Sequence, residues 1–187
     1  MKINSDILLD NILDQIRQNI DEVEKLNQYE LQKLTWRESQ NSWNILECLS
    51  HLNLYSEQYL PSIANKIQNY KGIKDEIFIS GFWGNLFAES MLPKKNQLKF
   101  KAFKNMNPTG SIVNQSAIDQ FVQYQRKFME LVQFSKFVNL NEIKIETSFS
   151  QFIRLKLGDM YLFLSNHTKR HLLQIKKIEL AFESTKV

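Results

Sequence analysis

Apolar residues recur every three or four positions through four long stretches of this chain, the spacing that lines one face of an α-helix. The first stretch starts near Ser5, carries Asp6 in its first turn and aligns Leu9, Ile12, Ile16, Ile20, Val23 and Leu26, while Asp21, Glu22, Glu24 and Lys25 face water. The second opens with Asn44, and Glu47 three positions later completes a capping box with Asn in the place of Ser or Thr. Its stripe is Ile45, Leu49, Leu52, Tyr59, Ile63, Ile67 and Tyr70, with Gly72 as the stop. The third covers residues 116–137 with Ile118, Phe121, Gln125, Phe128 and Val132 inward. The fourth begins close to Gly158 and Asp159, with Asp159 as candidate N-cap, and extends to about Phe182.

The stretches between them are less regular. Residues 27–43 form a connector holding Leu31, Leu34 and Trp36. Residues 72–115 carry the sequence GFWG, Pro93, a lysine-rich run and an Asn-Pro-Thr-Gly turn. Within them Ile77, Phe78, Phe82, Leu86 and Phe87 approximate the spacing of a short helix contained in residues 75–91. A connection this long is usually functional, and here it is expected to cap one end of the domain. Ile143 and Ile145 alternate with charged residues too briefly to predict a strand.

Four helices of roughly 20 to 26 residues are each about 30–40 Å long, and such matched lengths suit a four-helix bundle. Five glycines and three prolines are too few for the frequent turns of an all-β domain. The expected fold is therefore all-α, a single domain over residues 1–187, and its 43% hydrophobic content is enough for one core.

Charge and composition narrow the function. The net charge of +4 is spread between residues 94–104 and Lys169, Arg170, Lys176 and Lys177. A nucleic-acid binder concentrates its basic residues on one face with aromatics interleaved, so no nucleic-acid partner is expected. No stretch reaches the roughly 18 apolar residues of a membrane span, and the aspartates among residues 1–20 do not fit a secretory signal. One cysteine, Cys48, leaves no intramolecular disulfide and fits a reducing, cytoplasmic setting. The 13 phenylalanines exceed what one helical seam needs. Phe82 and Trp83 either roof the core or join a second subunit, and a homodimer is the expectation retained.

The candidate chemistry lies in three histidines, the full complement of the chain. His167 and His171 stand one helical turn apart on the stripe Met160, Leu164, His167, His171, Gln174 or Ile175, Ile178 and Phe182, where core side chains belong. Four residues advance a helical side chain by about 40 degrees and 6 Å, so the two rings can converge on one ion. His51 lies on the shoulder of the second helix's stripe, one position before Leu52. Two readings stand at this point: a divalent metal site, or hydrogen-bonded histidines in or at the edge of the core. Glu47 and Tyr55 flank His51 by one turn on either side; each is either a cap or packing residue, or a group that orients a ligand or handles a proton. Gln174, one turn below His171 on the inner face, is a candidate for hydrogen bonding behind the ligands, Cys48 is more simply a small buried apolar residue than a thiolate ligand, and Arg170 faces the surface or a helix contact.

Two blocks carry a resemblance. Trp43-Asn44-Ile45-Leu46-Glu47-Cys48-Leu49-Ser50-His51-Leu52 resembles the start of the second helix in the DinB-like, or DNA-damage-inducible, family. Asn166-His167-Thr168-Lys169-Arg170-His171-Leu172-Leu173-Gln174-Ile175 resembles that family's fourth helix. The resemblance implies a bundle of up-down-down-up topology with a long crossover between the second and third helices. It also implies that His51, His167 and His171 bind one divalent ion such as zinc or nickel. Relatives with an assigned activity are transferases or isomerases using low-molecular-weight thiols, and many others are labelled metal-dependent hydrolases. The implied protein is an enzyme acting on a small-molecule substrate, with a thiol as cosubstrate in the transferase case. The rival expectation is a non-catalytic binding or scaffold protein that keeps a structural or vestigial ion.

Overall fold

A computed structural model describes residues 1–92, 103–110, 113–148 and 150–185. Helices dominate it. The four long ones are α1 (Ser5–Glu24), α3 (Ile45–Gln68), α5 (Ser116–Phe134) and α6 (Leu157–Ser184); two shorter ones, α2 (Leu31–Thr35) and α4 (Phe82–Met91), lie in the connectors. The predicted stripes are the buried faces, except that in α3 Ile67 is only partly buried and Tyr70 lies beyond the end of the helix. Leu9, Ile12, Ile16, Ile20 and Val23 of α1, Phe121 and Phe128 of α5, and Met160, Ile175 and Phe182 of α6 all enter one core. Among the long helices, α1 packs against α5 and α6, and α3 packs against the same two. None of the described helices is long and apolar enough to cross a membrane.

Local chemistry explains where the helices begin. The Asn4 side chain accepts from the backbone N–H groups of Asp6 and Ile7, so α1 starts at Ser5. Asn44 and Glu47 form the predicted capping box on α3. That helix ends at Gln68, short of Gly72 and with Asn69 as its cap.

Two expectations need correction. The fold is not free of strands: β1 (Lys2–Asn4) pairs antiparallel with β2 (Ile77–Ile79), and β3 (Lys144–Thr147) pairs with β4 (Ser150–Lys156). The short helix expected within residues 75–91 is α4, and β2 precedes it. Asp159 is not an N-cap either, because α6 starts two residues earlier, directly at the end of β4. Its buried carboxylate instead accepts from the Ser80 hydroxyl and, at 2.9 Å, from the Gly81 N–H. A Cβ on Gly84 would overlap that carboxyl group, so glycine lets α4 lie close against α6. Phe82 and Trp83 do not roof the core; they are 78% and 52% exposed. Pro93 and most of the lysine-rich run lie outside the described residues.

Candidate metal centre

Two helices deliver the histidines. The capping box fixes the phase of α3, and His51, seven residues after Asn44, therefore lies two turns in on the same face as the cap. The Asp159 clamp sets the start of α6, and His167 and His171 follow two and three turns later. All three rings are buried, including His51, which sits inside the packing and not at its edge as its sequence position suggested.

Their Nε2 atoms converge. His167 Nε2 lies 3.2 Å from His51 Nε2 and 3.1 Å from His171 Nε2, and the donor atoms of all three lie within 4.8 Å of one another. Nitrogens bound tetrahedrally to zinc at about 2.05 Å are separated by about 3.3 Å, so the spacing fits one shared ion.

The outer nitrogens decide which atoms carry protons. His51 Nδ1 lies 2.6 Å from the Met106 carbonyl oxygen, which can only accept, so this Nδ1 donates and its Nε2 keeps a lone pair. His171 Nδ1 faces Gln174 Oε1 at 3.0 Å with the same consequence. His167 Nε2 therefore meets two lone pairs, and a single N–H there would satisfy only one of them. A cation at the meeting point satisfies all three.

Burial also keeps the rings neutral. Desolvation, partly opposed by the Met106 hydrogen bond and reinforced by Arg170, lowers the His51 pKa to about 4. Desolvation and then the positive charges of His51 and Arg170 lower that of His171 to about 3, against the Gln174 hydrogen bond. His167 is driven well below the ordinary imidazole value by desolvation, then by His171 and His51. Neutral imidazole is the form that ligates metal, so no proton has to be displaced at pH 7.

An aromatic wall surrounds the cluster. Trp43 packs against His51 and His171 with ring centroids 4.8 and 5.8 Å away, Tyr55 lies 4.4 Å from His167, and Phe163 stacks on His167 at 5.8 Å. The turn over residues 103–110 closes one side. Met106 buries its side chain while its carbonyl holds His51, and Trp43 Nε1 donates to Thr109 Oγ1 at 3.1 Å. Gly110, with φ of 85°, takes a backbone conformation that other residues adopt only with strain.

The remaining sequence candidates divide. Gln174 touches a histidine nitrogen, and Tyr55 lies against two of the rings, its hydroxyl pKa raised to about 12 by burial and then by Tyr59. Glu47 spends both oxygens elsewhere: one on the Asn44 N–H, and both on the Arg37 guanidinium at 2.6–2.7 Å. Cys48 stands outside the histidine group, buried, with burial pushing its thiol up. Arg170 reaches the Ser90 carbonyl at 3.4 Å. Sequence reasoning missed Met106, because its contribution is a backbone carbonyl that every residue type carries. Trp43 stood in the sequence only as part of a motif.

No curated protein and no solved structure matches this sequence. Residues 12–175, which include all three histidines, match the sequence pattern of the DinB superfamily. With most of its length covered by that match and its three histidines gathered in one buried cluster, the chain belongs to the DinB superfamily.

Proposed function

We propose that His51, His167 and His171 hold one divalent metal ion, zinc or nickel, within a four-helix bundle of up-down-down-up topology built from α1, α3, α5 and α6. On this reading the protein is a metal-dependent enzyme for a small-molecule substrate, acting by hydrolysis or by S-transfer from a low-molecular-weight thiol. The observation that carries it is the meeting of three Nε2 atoms, two of them with lone pairs freed by hydrogen bonds at Nδ1. Membership of the superfamily supports it.

A divalent ion there supplies Lewis-acid activation of a water or a thiol near neutral pH. The chain supplies the rest. Met106 and Gln174 set the tautomer and orientation of two ligands, the function that outer hydrogen bonds serve in metal sites. Trp43, Tyr55 and Phe163 exclude water from the sides of the cluster they cover. Tyr55, with its pKa near 12, keeps its proton at pH 7 and is a hydrogen-bond donor to negative charge developing on a substrate.

The test is elemental analysis of the purified chain joined to assays of ester hydrolysis and thiol transfer. About one metal per chain is expected, with turnover lost on chelation and restored by zinc or nickel. A chain that stays metal-free in saturating zinc refutes the site. Chelation that lowers the melting temperature of a protein with no turnover in any assay identifies the scaffold reading instead.

A further inference from the structure

Two of the three imidazoles place Nδ1 against a protein acceptor; among the described residues His167 has none. Its Nε2 faces the other two rings, so its Nδ1 edge, across the five-membered ring, turns away from the cluster. If Nε2 is the ligating atom, Nδ1 carries the proton and needs an acceptor.

His167 also lines a small cavity of about 10 Å3 beside the cluster, together with Tyr55, Gln125, Phe128 and Thr168. That is about the room one water takes, and the wall is polar enough to hold it. Gln125 is 3% exposed, and its Oε1 is a buried acceptor without a hydrogen-bond partner. Native proteins rarely leave such an atom unpaired. His167 of α6 and Gln125 of α5, the second with a buried acceptor that lacks a donor, thus line one water-sized space.

We propose that one buried water bridges His167 and Gln125, accepting from Nδ1–H and donating to Oε1, which makes Gln125 a positioning residue for the third imidazole. Tyr55 and Thr168 line the same space, and each carries a hydroxyl suited to the water's remaining bonds. All three rings then present Nε2 by one device, an acceptor behind Nδ1: a backbone carbonyl for His51, a side-chain amide for His171, and a water relayed to an amide for His167. The water's place concerns the chain alone; the proton on Nδ1 and the effect on metal affinity rest on the metal site proposed above.

The bridge is read in the wild type, as density in a high-resolution crystal structure and, with zinc bound, in the 15N shifts of the His167 ring. Its consequence is read as zinc affinity against a chelator, in Gln125→Met, which keeps the length and loses the acceptor, and in Gln125→Glu, which keeps it. Expected are an ordered water within hydrogen-bond distance of both atoms and a His167 ring protonated at Nδ1. Zinc affinity should fall about 10- to 100-fold in Gln125→Met and recover to within a few fold in Gln125→Glu. An empty cavity overturns the proposal, as does a Gln125→Met protein that binds zinc within twofold of wild type. If Gln125→Met does not fold, the density and Gln125→Glu decide. A wild type with the water in place that takes no zinc refutes the metal site and leaves the bridge standing.

Discussion

Helix α6 buries polar groups at two places, and they are built on opposite principles. At its first turn the Asp159 carboxylate finds donors in the Ser80 hydroxyl and the Gly81 N–H, so the charge is answered by the chain itself. Two turns later His167 turns its Nε2 toward two other ring nitrogens, both left with lone pairs by the hydrogen bonds behind them. The first arrangement is complete and locks the fold. The second finds no such answer among the described residues, and its three Nε2 atoms are spaced to share one cation, so burial alone does not tell a clamp from a candidate metal site.

Breaking one place at a time should separate the two roles. His167→Ala removes the nitrogen common to both close pairs, so zinc bound per chain should drop at least tenfold while the circular dichroism of the helices persists. Asp159→Ala strands two part-buried donors and opens a gap beside Gly84, and should lower unfolding stability by about 2 kcal/mol in a denaturant titration. Its folded fraction should still bind one zinc. The comparison fails if Asp159→Ala loses the metal while its stability is unchanged.

Acid should sharpen the contrast. All three histidines have pKa values below their unfolded value near 6.5, with His51 at about 4 and His171 at about 3. Below pH 6.5 the unfolded chain takes up protons that the buried rings refuse, so stability present above that pH is lost as pH falls toward 4 and beyond. The metal-free protein should melt at progressively lower temperature over that range, by about 2–4 °C for each kcal/mol lost. Saturating zinc at pH 6 should raise the melting temperature again, since a ligand of the folded state opposes unfolding. A melting temperature flat from pH 6.5 to 4 would mean that the rings are already protonated or are open to solvent.

Much of this organisation was legible in the sequence because it rests on local rules. The capping box at Asn44 and Glu47, the stripes of α1, α5 and α6, and the inward direction of His167 and His171 follow from spacings of three and four residues. What was not legible depends on contacts distant in sequence. β1 and β2 are three residues each and pair across more than seventy positions, too short for any alternation to show. Asp159 looked like a cap because it stands near a helix start, but its partners come from residues 80 and 81. Gln125 could be placed inward by periodicity, yet its orphaned oxygen and the cavity it shares with His167 exist only once α5 and α6 stand together.

Glu47 gives the smallest expected effect and the finest discrimination, because sequence position left it either a cap or a participant in the chemistry. Its carboxylate is buried yet answered by the Asn44 N–H and the Arg37 guanidinium, which places it with Asp159 and not with the histidines. Glu47→Gln keeps an oxygen for the cap and weakens only the ion pair, whose arginine is partly open to solvent. The loss in stability should be about 1 kcal/mol, with zinc affinity and the pH profile of any turnover unchanged. A tenfold fall in turnover at unchanged zinc affinity would move Glu47 into the chemistry. An unchanged rate would confine the reacting groups to the side of α3 that faces α6, where His51 and Tyr55 already meet His167.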